Sequence, residues 1–256
     1  MTRWLIGIDD TDNLESRGTG YRARCLLAAL EEAGIARGIG ITRHQLLVDD
    51  RVPYTSHNSS ACLEVETDDA HPLRELCVEF LLGDAADGSD VGLCIALPER
   101  AANAVDYARS AKTEVLNQSI ARGHARALGI HLEGLTGTED GVVGAFAAVG
   151  LFAQGNDGRY IWRRMLRELK GATVSVAEFS RATGISEFAE LTSDCEYRFV
   201  ALASDTLLAL GDWARPVRID GRCVLLVEAH PAPSPTQTNG VHYACPQKSR
   251  VKQLRP

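Results

Sequence analysis

No apolar run in the chain approaches the roughly 20 residues that span a bilayer, so no membrane-crossing helix is predicted. There is no C-x-x-C pair either. The seven cysteines, Cys25, Cys62, Cys77, Cys94, Cys195, Cys223 and Cys245, are scattered, which argues against a zinc ribbon. Most sit in apolar stretches such as Gly92 to Leu97 and read as reduced core residues. Positive charge is not in excess: 27 Lys and Arg face 34 Asp and Glu, leaving −7. No global field therefore draws in nucleic acid, and such a role would need a local basic patch. A leader is not expected, because Met1-Thr2-Arg3 runs directly into an apolar strand, and the expected location is cytoplasmic. Acidic residues stop at Glu228. What is present, 45% hydrophobic and 24% charged residues over 256 positions, suits a globular chain of one large or two smaller domains.

The most informative stretch is Trp4-Leu5-Ile6-Gly7-Ile8-Asp9-Asp10-Thr11-Asp12-Asn13, followed by Ser16-Arg17-Gly18-Thr19-Gly20-Tyr21. An apolar strand ends in three carboxylates within four residues. Such a cluster repels itself unless a cation, donors or water offset the charge. Oxygen-only ligands suit Mg²⁺, which commonly arrives with phosphates. The helix predicted to begin at Gly18 to Tyr21 offers free N–H groups that favour anions. The stretch reads as a metal–phosphate site, with Asp9, Asp10 and Asp12 as metal ligands. An acidic turn between a strand and a helix is the plainer alternative.

Along the chain, Leu26, Leu27, Leu30 and Ala33 mark one face of a first helix that Gly34 would stop. Gly38 to Val48 is a second strand region. The polar stretch Asp49 to Ser60, with Tyr54 and Asn58, is either an exposed loop or a nucleotide-binding one. Ala61 to Glu66 alternates as a half-exposed strand does. Leu73, Leu76, Phe80 and Leu81 mark a second helix, and Gly92 to Leu97 a further strand. This strand–helix–strand order is half of a ferredoxin-like unit. Glu99 to about Leu128 is helical in composition. Gly141 and Gly144 open an apolar helix, either for tight packing or to let a backbone approach a ligand. Trp162, Met165, Leu166 and Leu169 form another helix face ending at Gly171, Tyr197 to Leu202 a strand and Thr206 to Leu210 a short helix. Val217 to Val227 reads as a hairpin on Asp220-Gly221. Beyond Pro231 a basic terminus follows, either mobile or a nucleic-acid-touching arm.

Three blocks together carry a family resemblance. Ile6-Gly7-Ile8-Asp9-Asp10-Thr11-Asp12 resembles the opening of the 2-agmatinylcytidine synthetases that modify an isoleucine tRNA, and that family's threonine–threonine–tyrosine stretch aligns with Thr19-Gly20-Tyr21. The loop Arg51 to Ser59 is similar to the family's second block, and Gly141 to Gly150 to a third. Gly18, Gly20, His57 and Ser59 depart from the pattern. The resemblance implies an ATP-dependent kinase-like domain joined to a ferredoxin-like one, without the oligonucleotide-binding and zinc-ribbon modules. It implies that the acidic motif serves nucleotide and Mg²⁺ and that Thr19 is phosphorylated by the enzyme itself.

The resulting expectation is a two-domain α+β protein, a mixed-sheet ATP-binding domain with a ferredoxin-like α/β sandwich. Residues 1–190 would form the ATP-binding region, with ferredoxin-like elements near 60–125. Residues 191–230 would complete the second domain and 231–256 a mobile basic tail. The expected activity is an ATP- and Mg²⁺-dependent phosphotransferase or synthetase, with a small-molecule or tRNA acceptor. Asp9, Asp10, Asp12 and Thr19 would be catalytic, and Thr11, Gly18, Gly20, Tyr54, Asn58, Gly141 and Gly144 would bind the nucleotide. The competing readings are a non-catalytic nucleotide-binding module and a small-molecule kinase unrelated to tRNA. A dehalogenase-like phosphatase using Asp10-x-Asp12 fits poorly, because Leu14 stands where that pattern wants Thr or Val.

Overall fold

In the computed structural model, which describes residues 1–52, 58–229 and 243–253 (the side chains of 252 and 253 excepted), the chain is α+β and divides at Ile161/Trp162 into two units. The first unit begins with β1 (Thr2–Asp9), whose apolar residues 5 to 8 are buried. Then come α1 (Thr19–Glu32), β2 (Arg37–Gln45), β3 (Ser59–Thr67), α2 (Ala70–Asp84) and β4 (Gly92–Ala96). These four strands lie in the order β4-β1-β3-β2, and each neighbouring pair is antiparallel. That is the complete ferredoxin-like βαββαβ order. It starts at β1, upstream of the 60–125 segment where sequence placed it.

Helix α1 buries Leu26, Leu27 and Leu30 of the stripe read from sequence, together with Ala23; Ala33 is exposed at the helix end, and Gly34 follows with φ of 66°. The stretch 98–128 holds α3 (Pro98–Ala101), a short 3₁₀ turn, α4 (Val105–Ser110) and α5 (Gln118–Leu128). β5 (His131–Gly134) then pairs with β4. The apolar α6 (Val142–Gln154) is buried along nearly its whole length, and β6 (Arg159–Trp162) lies beside β2. Leu5, Cys62 and Cys94 share a core cluster with Phe146, Val149 and Tyr107. Side chains alternate across a strand, so Leu5, Gly7 and Asp9 face α6 while Trp4, Ile6 and Ile8 face the other way. A buried polar chain lies beneath β2. Asp157 holds His44 Nδ1 at 2.8 Å and also Lys112, and His44 Nε2 meets Thr42 Oγ1 at 2.7 Å.

The second unit holds β7 (Thr173–Ser175), α7 (Val176–Thr183), β8 (Glu187–Leu191), β9 (Tyr197–Phe199), β10 (Leu207–Ala209), β11 (Val217–Ile219), β12 (Arg222–Ala229), β13 (Tyr243–Ala244) and α8 (Lys248–Gln253). Its core joins Val176, Phe179, Ile185 and Phe188 to Leu208 and Leu225. Residues 173–191 are therefore committed to this unit, which puts the division earlier than the boundary expected at 190. The predicted hairpin is present: Val217 pairs with Val224, and Asp220 and Gly221 both have positive φ, as a type I′ turn requires.

Two helical expectations are corrected. Residues 163–172 are turns, not a helix, with Met165 at φ 56°. Thr206 to Leu210 contains strand β10, because Leu208 pairs with Val174 and with Tyr243. Tertiary pairing overrides a weak local preference in such short segments. Part of the terminus read as mobile is placed: Val251 is buried and Arg250 pairs with Glu228. Residues 230–242 and 254–256 lie outside the described residues.

Candidate functional site

β1 delivers its last residue, Asp9, to the end of the sheet, and α6 starts directly against it. Two close approaches make this possible. A Cβ on Gly144 would stand 1.7 Å from Asp9 Oδ2, and one on Gly92 would stand 2.1 Å from the Gly141 carbonyl carbon. At Gly92 a larger residue would meet the helix backbone itself and move the helix off the strands, whereas at Gly144 it would displace the Asp9 carboxylate. Gly141 and Gly144 thus serve packing, and they also line the cleft that results.

That cleft has a volume of about 260 Å³, near the lower end of the ~300–1,000 Å³ usual for ligand pockets. Asp9, Asp10, Asp12, Thr19, Asn58, Gly141 and Gly144, seven of the residues singled out from sequence, line it. Thr11 does not, since it is fully buried behind the cleft and its hydroxyl donates to Thr19 Oγ1 at 3.2 Å. Gly18 and Gly20 flank Thr19 and lie outside the lining. Tyr54 lies outside the described residues. Asp90, Asp140 and Asn117 also line the cleft, and sequence reasoning missed them; Arg51, which opens the loop similar to the family's second block, lines it too. Asp90 precedes β4 with no motif around it. Asp140 directly precedes Gly141, so the glycine block was the signal that could have found it.

The electrostatics are those of an acidic pocket without enough counter-charge. Burial, then the Asp10 charge, pushes the Asp9 carboxyl up to about 8. Burial, then Asp90, Asp12 and Asp140, pushes Asp10 up to about 6. Asp10 also sits at φ 51°, a left-handed conformation that Asp tolerates and that concentrates at functional sites. Among the described residues, no three carboxylate, histidine or cysteine side chains converge into a ready-made metal centre. Mg²⁺ needs no such centre, because it typically takes one or two protein carboxylates and completes its shell with phosphate oxygens and water. The donor chemistry of Asp9 and Asp10 fits that pattern.

Asp12 has a different task. Its Oδ1 accepts the Thr19 backbone N–H at 3.0 Å and the Thr19 hydroxyl at 2.8 Å. Gly18 is the N-cap of α1 and has no side chain to offer. The carboxylate of Asp12 therefore caps the helix from outside, while Thr19 is its first residue. A buried hydroxyl donating to a carboxylate is also the geometry of a nucleophile beside a general base. A cationic margin adjoins: Arg43 Nε donates to Ser59 Oγ at 2.8 Å. Burial and the neighbouring Arg159 lower the Arg43 pKa, and Asp12 opposes them.

No protein-family model matches the chain, and no curated protein sequence matches it. Solved structures do. A tRNA fluorescent labeling enzyme is 27% identical over 58% of this chain and 36% of its own, with a TM-score of 0.53. The complex of TiaS with an isoleucine tRNA, AMPCPP and agmatine matches at 26% identity over 59% of this chain and 36% of its own, also at 0.53. The chain thus spans about a third of the length of these solved chains. The resemblance read from sequence holds at the level of structure: the chain is similar to TiaS, an isoleucine-tRNA agmatidine synthetase.

Proposed function

We propose that the protein is an ATP- and Mg²⁺-dependent phosphotransferase or synthetase of the agmatidine-synthetase type, with tRNA as the favoured acceptor. The observation that carries this reading is the single cleft that gathers Asp9, Asp10, Asp12, Thr19, Gly141 and Gly144. The likeness to a protein solved with tRNA, AMPCPP and agmatine supports the acceptor. Asp9 and Asp10 would hold Mg²⁺, which when bound would neutralise charge on the phosphates. Arg43 and the N-terminus of α6 border the same region and favour phosphate oxygens. Phosphoryl transfer requires mainly such positioning and charge neutralisation.

Thr19 is the proposed internal acceptor. Its Oγ1 would form a bond to the γ-phosphorus, the bond from that phosphorus to the bridging oxygen would break, and ADP would leave. The hydroxyl proton would pass to Asp12, already 2.8 Å away. The test is incubation of the purified chain with Mg²⁺ and ATP, followed by intact-mass and peptide analysis. The expected result is a gain of about 80 Da, one phosphoryl group, on the Thr19 peptide, absent in Asp12→Asn. ATP consumption with no mass gain would remove Thr19 from the chemistry. ATP binding without turnover would make the protein a non-catalytic nucleotide-binding module.

A further inference from the structure

A second cavity, of about 310 Å³, lies in the first unit, away from the acidic cleft. Trp4, Ile95, Leu97, Arg74, Arg100 and His131 line it. Trp4 stands five residues before Asp9 on β1, roughly 17 Å away at strand rise, and alternation turns it to the opposite face. The two cavities share no lining residue.

The cationic groups here are held in place. Arg100 donates to the Gly129 carbonyl at 2.5 Å, and Gly129 ends α5 in the left-handed conformation with φ of 61°. Glu133 holds Arg74 and His131 together, each at 3.0 Å. The carboxylate thus pairs with one of the two arginines, Arg74, while Arg100 meets a neutral carbonyl, so the remaining charge is positive in a chain of net −7. Trp4 adds an aromatic wall. Its Nε1–H is covered and has no hydrogen-bond acceptor among the described residues, so what the cavity offers a ligand is the ring and not the N–H.

We propose that this cavity binds a nucleotide, its base against Trp4 and the apolar residues Ile95 and Leu97, its phosphate at Arg74 and Arg100. Bases are planar and stack on aromatic side chains. Guanidiniums match phosphate oxygens in a fork that a simple cation does not. A free mononucleotide and one nucleotide of an RNA strand share this chemistry. The site is independent of the acidic cleft and of the activity proposed for it.

The test uses the full chain with EDTA present, so that metal-dependent binding at the cleft is suppressed. The protein has three tryptophans, hence three indole N–H resonances, and Trp4→Phe assigns one of them to Trp4. AMP should shift that resonance saturably, and inorganic phosphate should bind at least tenfold more weakly. Arg100→Gln, which leaves the indole probe intact, should weaken AMP binding about tenfold. Bulk tRNA shifting the same resonance at lower concentration than AMP would identify an RNA-borne nucleotide. AMP acting alone would identify a free one. A Trp4 resonance unmoved by millimolar AMP and by tRNA would overturn the proposal, as would phosphate binding as tightly as AMP.

Discussion

Replacing Asp9 by Asn should stabilise the protein at alkaline pH and leave it nearly unchanged in acid. A carboxyl whose pKa is raised by folding favours the folded state while protonated. Its contribution is full below the unfolded value of 3.8 and is lost as pH rises through the folded value. For Asp10 that value is about 6 and for Asp9 about 8, so the wild type should lose stability steadily from pH 4 to 8.5. At about 1.4 kcal/mol per pKa unit, the Asp9 shift has a ceiling of about 6 kcal/mol. Asp9 borders an open cleft, and water and local relaxation cut such penalties severalfold, which leaves on the order of 2 kcal/mol. In a chain of this size that corresponds to a Tm about 4–8 °C higher for Asp9→Asn at pH 8.5. The two proteins should converge near pH 4. Mg²⁺ should raise the wild-type Tm at pH 8.5 more than that of the variant, because only the wild type has the charge that the cation offsets. Thermal melts from pH 4 to 8.5, with and without Mg²⁺, decide it. Parallel Tm curves for the two proteins would refute the charge-repulsion account of the cleft.

Two further outcomes follow from other parts of the first unit. Asp10→Asn should weaken Mg²⁺-dependent ATP binding at least tenfold, about 1.4 kcal/mol, without lowering the Tm; calorimetric titration and a melt of the same sample check both halves. Asp157→Asn should strand Lys112 and His44 without their shared carboxylate, costing on the order of 3 kcal/mol, and denaturant unfolding should show it while ATP affinity stays the same.

Much of the first unit was legible because its signals are local. The apolar run ending in Asp9, the i, i+1, i+4 stripe of α1 and the Asp220-Gly221 turn each lie within a dozen residues and each has a direct physical cause. The errors fall where local signals are weak. Leu166 and Leu169 do pack on the second core, but as parts of turns, so apolar spacing was correct about burial and wrong about helix. Leu207 to Ala209 has no strong preference of its own and takes its strand form from β7 and β13. The early division of the chain was hidden for the same reason: nothing local to residues 173–191 says which core they enter.

The acidic site was only half legible, and the missing half explains its chemistry. Three carboxylates on one loop make a turn or a site, and spacing cannot choose. Asp90 and Asp140 change the balance, since they are named among the causes that raise Asp10, yet they lie 80 and 130 residues downstream of it. They arrive through packing. Gly92 and Gly141 let the start of α6 sit against the ends of β1 and β4, and that contact carries Asp140 to the cleft beside Asp90. The two readings of the glycine block, tight packing and approach to a ligand, are therefore not rivals. Close packing is the means by which one helix start and two strand ends concentrate like charge at a single point, and like charge so concentrated is relieved by protonation, by donors or by a cation.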